Sequence, residues 1–207
     1  FEDPGTQFRY GISTTILGRL IEIWSGMPLK RFLDERVFEP LGLSDTVFWA
    51  DRDRADRLAT VYRLDNASGA LNPHVIEEIP FTEPPTLIEG GVGLLSSTMD
   101  FLRFSQMFLN KGELGGTRVL RPETVDLMTR NHVPDSVLPL GTRGYMAGSG
   151  WGLGFNVVLD SSAYTVPVGD GEYWWNGSAG TWFSIDPEHG IITVIMAQVS
   201  PARGGGF

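Results

Sequence analysis

Ser178 has the surroundings that come nearest to those of a nucleophile, in the sequence NGSAG. A nucleophile elbow has the pattern G-x-S-x-G and places its serine on a sharp turn between a strand and a helix. Here Asn176 takes the place of the first glycine, and the residues on both sides predict strands. The pattern therefore does not favour Ser178 as a nucleophile, although a triad with His189 stays formally open.

Metal and phosphate chemistry find little support in the spacing of residues. The three histidines, His74, His132 and His189, form no ligand-spaced pair, so they are expected to be surface or loop residues. The glycine-rich stretch at 90–93 lacks the lysine of a Walker loop and the strand–helix context of a dinucleotide site. We interpret this stretch as a tight loop whose backbone passes close to a neighbouring group, and that neighbour could be a substrate. No metal and no cofactor are predicted.

The composition is that of an ordinary globular protein. The chain has 207 residues, 42% hydrophobic and 20% charged, which suits one domain or part of a larger one. A formal net charge of −9 argues against a nucleic-acid surface, which needs clustered Lys and Arg. The absence of cysteine excludes disulfides and thiol nucleophiles. No run of residues approaches the ~20 apolar residues of a membrane span, so none is predicted.

The residues before the glycine-rich stretch predict two helices. Ser13 or Thr14 could cap the first, whose apolar residues recur at helical spacing. Gly26 ends this helix and Pro28 begins the next. Residues 50–89 are more polar and predict short strands and loops. The apolar residues are Ile16, Leu17, Leu20, Ile21 and Trp24 in the first helix, and Leu29, Phe32, Leu33 and Val37 in the second.

Two further helices and then a sheet follow. Ser97, Thr98 and Asp100 can cap a helix that Gly112 ends, and Pro122 marks the first turn of another. The C-terminal third changes to strands rich in aromatic and β-branched residues: GWGLGFNVVLD, EYWWNG, GTWFSIDP and IITVIMAQV. Helices followed by an antiparallel sheet predict an α+β fold, with helices on a face of the sheet.

Tyr10 stands directly before the first predicted helix, after a Pro-Gly turn. A tyrosine at such a corner commonly packs against the start of the helix, so position alone favours a packing role. Trp175 likewise fits an aromatic residue that packs on the sheet, and Asn176 and Gly177 fit a bulge on an edge strand. An edge strand can also align a substrate through its backbone, so both roles stay open for this segment.

Five longer phrases follow one another along the chain: PGTQFRYGISTTILGRLIE, FLDERVFEPLGLSDTVFW, GGVGLLSSTMDFLRFSQMFLNKGELGGTRVLRPETVDLM, GWGLGF and WNGSAGTWFSIDPEHGIITVIMAQ. Together they resemble the β-lactamase-like serine hydrolases, which comprise class C β-lactamases, D,D-peptidases and family VIII esterases. Each phrase is weak alone, but their order and spacing resemble the family over nearly the whole chain. The resemblance implies a β-lactamase/transpeptidase-like α+β fold, with an antiparallel sheet flanked by helices.

The chemistry of that family is acyl transfer through a serine ester, and it uses three motifs. In chain order these motifs are S-x-x-K, then Y-x-N or Y-S-x, then K-T-G or a variant. The second motif matches Tyr10-Gly11-Ile12, and the third matches Trp175-Asn176-Gly177. The resemblance implies that Tyr10 is the general acid and base for the serine and the leaving group. It also implies that Ser178 offers its backbone N–H to the oxyanion, and that Tyr10 faces this strand across a cleft.

The first motif is absent from the sequence. The chain has only two lysines, Lys30 and Lys111, and the residues three positions before them are Met27 and Phe108. The resemblance therefore implies that residues 1–207 are the C-terminal portion of a single domain whose N-terminal part is missing. That N-terminal segment, carrying S-x-x-K, is the expected partner of this chain in catalysis.

Two departures within the motifs bear on the substrate. Ile12 replaces the amide of Y-x-N, and Trp175 replaces the lysine of K-T-G. A substrate carboxylate would be desolvated there without a cationic partner, at a cost of several kcal/mol, whereas a neutral ester avoids this cost. We therefore expect a carboxylesterase that acts on a small-molecule ester through an acyl-serine. The alternatives are a β-lactamase or D,D-peptidase, and a non-catalytic penicillin-binding-like module that binds a ligand.

Overall fold

A computed structural model describes residues 2–75, 81–140 and 146–200 of the chain. Two compact units are formed, one from Phe1–Arg9 together with Ser105–Phe207 and the other from Tyr10–Phe104. Within the described residues, none of the helices combines the length and apolar character that crossing a membrane requires. The assignment of residues 1–207 to a single domain stays a prediction.

The unit formed by Tyr10–Phe104 is mainly helical, and its helix boundaries follow the predicted punctuation. The first helix ends at Gly26, whose φ of +68° lies in the left-handed region that glycine favours. Pro28 directly precedes the next helix, whose predicted residues up to Val37 include a π-helical turn and which continues through Leu41. The elements are α1 (Ser13–Ser25), α2 (Leu29–Leu33), the π-helical turn (Asp34–Phe38), α3 (Glu39–Leu41), α4 (Arg52–Ala55), β1 (Tyr62–Leu64) and β2 (Leu71–Pro73).

The polar stretch predicted as short strands and loops contains α4 and an antiparallel hairpin of β1 and β2. Part of that prediction, at residues 76–80, lies outside the described residues. The apolar side chains that form the core of this unit come mainly from α2, the π-helical turn and the residues that follow them. Those that are buried are Leu29, Phe38, Leu41, Leu43, Phe48 and Ala50.

The helix α5 (Thr98–Leu109) begins at a hydrogen-bonded cap, as predicted. The Oγ of Ser97 accepts a hydrogen bond from the N–H of Asp100 at 3.2 Å. The carboxylate of Asp100, only 5% exposed, accepts from the N–H of Asp45 at 2.7 Å and from the Oγ1 of Thr46 at 3.0 Å. This buried carboxylate has hydrogen-bond donors, as buried polar groups need, and it joins the loop after α3 to the start of α5.

The other unit is built around a five-stranded antiparallel sheet with strand order β5-β6-β7-β8-β9. The central strands, rich in aromatic and β-branched residues as the sequence predicted, bury many of these side chains. This sheet, together with the helices, gives the α+β architecture. The elements are β3 (Glu113–Leu114), β4 (Thr117–Arg118), α6 (Pro122–Met128), β5 (Ser149–Trp151), β6 (Asn156–Val158), β7 (Tyr173–Asn176), β8 (Thr181–Asp186) and β9 (Ile191–Met196).

The apolar face predicted for α1 is largely exposed in this chain. Trp24 is 75% exposed, and Ile16 and Leu17 are each 52% exposed. The residue of α1 that is buried is Gly18. Leu20 and Ile21 of the predicted face are partly buried, and the closest contact of the helix is made at Gly18, which hydrophobic periodicity does not reveal.

Candidate active site

Tyr10 is the first residue of the helical unit and lies on its surface, 68% exposed. The helix α1 begins three residues later, with Ile12 at the N-cap and no side-chain hydrogen bond that caps it. The predicted cap by Ser13 or Thr14 is therefore wrong. An N-cap residue has non-helical backbone angles, whereas both of these residues already belong to the helix.

The glycine-rich stretch contacts the first turns of α1. A Cβ atom at Gly90 would lie 2.3 Å from the carbonyl oxygen of Thr14 and 3.2 Å from the Cα of Gly18. Beside this contact, the Oγ1 of Thr15 donates a hydrogen bond to Glu89 Oε2 at 3.0 Å. The prediction that the backbone here passes close to another part of the molecule is confirmed, and the neighbour is a helix.

The segment from Trp175 to Ser178 forms the end of β7 and the start of a tight turn into β8. The N–H of Gly177 donates to the carbonyl of Thr181 at 2.9 Å, and the N–H of Gly180 donates back to the carbonyl of Gly177 at 3.0 Å. Gly180 has a φ of +78°, so the three-residue loop ends in a left-handed residue, as such hairpins commonly do.

Ser178 is exposed at the first corner of this turn. Among the described residues, the backbone hydrogen bonds of the turn use the N–H groups of Gly177 and Gly180 but not that of Ser178. The N–H of Ala179 is likewise outside these hydrogen bonds, and a tight turn with such N–H groups is chemically suited to hold an anionic oxygen. The geometry thus fits the role that the sequence predicted for Ser178, and that role stays a prediction.

Trp175 is partly buried and belongs to a cluster of aromatic rings. Its ring meets that of Trp151 edge-to-face, with centroids 4.5 Å apart, and lies 5.9 Å from the ring of Trp174. Trp151 in turn contacts Phe8 at 5.2 Å, and Trp174 stacks on Trp182 at 4.2 Å. Neither Trp151 nor Phe8 was predicted as a neighbour of the third motif, although Trp151 lies in the aromatic phrase GWGLGF.

The alternative triad of Ser178 with His189 is not formed. Ser178 precedes β8 and His189 follows it, so the six residues of β8, about 20 Å of extended chain, separate them. The ring Nδ1 of His189 instead lies 2.8 Å from Asp186 Oδ2, and the N–H of His189 donates to the same carboxylate at 3.0 Å. His189 therefore belongs to the turn between β8 and β9.

The pKa values of this pair move apart. The hydrogen bond between His189 and Asp186, together with the negative charge of the Asp186 carboxylate, raises the pKa of His189. Burial raises the pKa of Asp186, but the hydrogen bonds from His189 and Glu188 outweigh burial and lower it overall. The pair thus favours its charged form.

The other histidines and both lysines also have local partners. His74 Nε2 lies 2.8 Å from Arg63, and His132 Nε2 lies 2.7 Å from a backbone carbonyl. Lys30 pairs with Asp34 at 2.5 Å, and Lys111 pairs with Asp126 at 2.7 Å. Within residues 2–75, 81–140 and 146–200, no group of three or more His, Cys, Asp or Glu residues is placed to hold a metal ion.

The structure thus brings Trp175, Asn176, Gly177 and Ser178 together on one hairpin, while Tyr10 belongs to the other unit. Residues 2–205 match the β-lactamase family. The chain belongs to this family. Its α+β fold is the β-lactamase/transpeptidase fold that the sequence phrases predicted.

Proteins with similar sequences occur in a bacterium and in a fungus. Protein Rv1367c of Mycobacterium tuberculosis H37Rv is 35% identical over 203 residues, which cover 96% of this chain and 50% of that protein. Monacolin J acid methylbutanoyltransferase of Aspergillus terreus is 26% identical over 222 residues, which cover 96% of this chain and 51% of that protein.

A solved structure with the same fold is that of EstCE1, a hydrolase with promiscuous acyltransferase activity. It matches with a TM-score of 0.80 and 26% identity, over 96% of this chain and 53% of that one. The chain spans about half the length of these three proteins. Hydrolases and acyltransferases of the β-lactamase fold are therefore among its relatives.

Proposed function

We propose that this chain is the C-terminal portion of a serine hydrolase that cleaves neutral carboxylic esters through an acyl-serine, with the serine outside residues 1–207. The observation that carries the proposal is the place of Trp175. At the position where the family has the lysine of K-T-G, this chain has an aromatic ring packed edge-to-face on Trp151 at 4.5 Å. An apolar ring there suits a neutral substrate and offers no partner to a carboxylate.

In the proposed reaction Tyr10 transfers the proton, and the backbone N–H of Ser178 stabilises the negative charge that forms on the substrate oxygen. As the serine oxygen attacks the ester carbonyl, the Tyr10 oxygen takes the serine proton, and the carbonyl oxygen becomes an anion near the N–H of Ser178. When the C–O bond to the leaving alcohol breaks, Tyr10 gives the proton to that alcohol. Water then attacks the acyl-serine by the same steps in reverse order, which releases the acid and restores the serine.

A second candidate is acyl transfer to an alcohol in place of water. It is supported by the names of two similar proteins, a methylbutanoyltransferase and a hydrolase with acyltransferase activity. The first half of the reaction is the same, so the two functions differ only in which hydroxyl attacks the acyl-serine.

The test uses the complete protein that contains this chain, with p-nitrophenyl butyrate as substrate. Tyr10→Phe removes one oxygen from an exposed ring, so it should hardly change stability while lowering kcat about 10²- to 10⁴-fold. Tyr62→Phe makes the same change on β1 and serves as the matched control. Equal rates for the two variants would refute the role of Tyr10.

Mass spectrometry of the protein after a brief exposure to the ester locates the acyl group. A butyryl adduct on a serine of an S-x-x-K sequence is expected, and an added alcohol that yields a new ester would identify the transferase. Hydrolysis of a β-lactam or a D-Ala-D-Ala peptide in preference to esters would instead indicate a β-lactamase or peptidase. Binding of such ligands without any acyl adduct would indicate a non-catalytic module.

A further inference from the structure

We propose that the segment Glu89–Gly91 positions Tyr10, because it holds the first two turns of α1 through a close backbone contact that requires glycine at position 90 and is tight at Gly18. This inference rests on the proposed function only for the role of Tyr10. The contact itself is a property of the described residues of the helical unit. Glu89, Gly90 and Gly91 would act through the helix and would not touch the substrate, so they are positioning residues.

The contact between Gly90 and α1 leaves no room for a side chain at Gly90 and little room for one at Gly18. A Cβ at Gly90 would lie 2.3 Å from the carbonyl oxygen of Thr14, an atom of the backbone that cannot turn aside. A Cβ at Gly18 would lie 3.0 Å from the N of Gly90 and 2.9 Å from Leu29 Cδ2. Contacts below 3 Å between a Cβ and a backbone atom force one of the two segments to move.

A hydrogen bond lies beside this contact. Thr15 Oγ1 donates to Glu89 Oε2 at 3.0 Å, and a Cβ at Gly91 would meet the hydroxyl oxygens of Thr14 and Thr15 at 2.8 and 3.0 Å. The hydroxyl of Thr14, one of the two predicted cap residues, and that of Thr15 therefore lie beside the Glu89–Gly91 segment. The hydroxyl of Thr15 joins the helix to Glu89, and neither residue is the N-cap of the helix.

The start of α1 gains little support from its own cap or from the apolar side chains of its first turn. Its N-cap residue Ile12 makes no side-chain cap, and Ile16 and Leu17 are exposed. The far end is held separately, where Glu22 Oε1 accepts from the N–H of Leu29 at 2.9 Å. A change at Gly90 should therefore move the start of the helix, which lies three residues after Tyr10.

The first test measures amide hydrogen exchange in this chain. Gly90→Ala should speed exchange in the peptides that cover residues 10–18 by about tenfold or more, with little change in α6. Gly18→Ala should act in the same direction, although alanine favours a helix intrinsically. Gly11→Ala adds the same methyl group where nothing lies within 4 Å, so it is the matched control and should not speed exchange.

Thr15→Val covers the case in which Gly90→Ala does not fold. It keeps the shape of the side chain, removes only the hydrogen bond to Glu89, and should speed exchange in residues 10–18 by about 3- to 10-fold. Unchanged exchange in both Gly90→Ala and Thr15→Val would overturn the proposed contact, whatever the protein's activity is.

The second test measures ester hydrolysis by the complete protein. A displacement of about 1 Å at a catalytic group can cost about 10²-fold, so Gly90→Ala should lower kcat by about 10- to 100-fold and leave KM within about twofold. Thr15→Val should lower kcat less, in proportion to its effect on exchange.

The two tests separate this inference from the proposed function. If Tyr10→Phe abolishes turnover and Gly90→Ala speeds exchange yet keeps its kcat, the positioning role is wrong. If Tyr10→Phe leaves turnover intact, the proposed function fails, and the exchange results alone then show whether the segment holds the helix.

Discussion

Replacing Trp175 with lysine should shift substrate preference toward esters that carry a carboxylate. The change places a cation where the family has the lysine of K-T-G. It also removes a ring that contacts Trp151 at 4.5 Å and Trp174 at 5.9 Å. Each aromatic pair contributes about 0.5–1.5 kcal/mol, so the free energy of unfolding should fall by about 1–3 kcal/mol.

The size of the preference follows from where the new charge would lie. Two opposite charges 4 Å apart interact by about 4 kcal/mol near a protein surface, whereas exposed pairs measured in proteins contribute only about 0.2–1 kcal/mol. Trp175 is partly buried, so an intermediate value of about 1–2 kcal/mol is expected. The ratio of kcat/KM for the carboxylate ester over the neutral ester should therefore rise about 5- to 30-fold.

The assay compares two p-nitrophenyl esters, one neutral and one with a carboxylate on the acyl chain, with the complete protein. Trp175→Met is the matched control, because it removes the same ring contacts with an uncharged and flexible side chain. The gain of the lysine variant should shrink in 1 M salt, where charges are screened beyond about 3 Å. Equal ratios for the lysine and methionine variants would refute the reasoning from charge.

Two further predictions concern stability and are checked by urea unfolding. Asp100→Ala should lower the free energy of unfolding by about 1–3 kcal/mol, because it leaves hydrogen-bond donors without their buried acceptor. The control Asp53→Ala changes an exposed residue and should have little effect. Equal losses of stability in the two variants would contradict this account. His189→Gln should destabilise the protein at pH 5.5 more than at pH 8.5. The raised pKa of His189 makes its contribution full below about pH 6.5 and lost as the pH rises through the folded-state pKa. The lowered pKa of Asp186 makes its contribution to stability present above about pH 3.9 and lost as the pH falls through its folded-state pKa. A loss of stability in His189→Gln that does not vary between pH 5.5 and 8.5 would exclude the charged pair.

The sheet could be predicted well from the sequence because its signals are local. The strands β7 and β8 are dense in aromatic residues, and a three-residue loop with Gly180 in the left-handed region sets their pairing. Gly26 and Pro28 mark helix boundaries for an equally local reason: Gly26 adopts a positive φ that other residues avoid, and proline has a fixed φ and no N–H to donate.

The surroundings of Tyr10 could not be predicted in the same way. Ser13 and Thr14 have the composition of a helix cap, yet they lie inside α1 because the helix starts one residue after Ile12. The contact between Gly18 and Gly90 joins residues 72 positions apart, which the periodicity of a single helix cannot report. The roles of Tyr10 and Ser178 came from a family resemblance, and they stay predictions until the variants above are measured.

The position of β9 at the end of the sheet has a consequence for handling the protein. β9 pairs only with β8 among the described strands, so within the described residues one side of its backbone has no strand partner. Its sequence, IITVIM, carries no charge and no proline, and Ile191 and Ile195 are 56% and 40% exposed. Short, uncharged segments of this kind on a sheet edge readily recruit identical segments from other molecules. In concentrated solutions of this chain, β9 is therefore the expected starting point of aggregation.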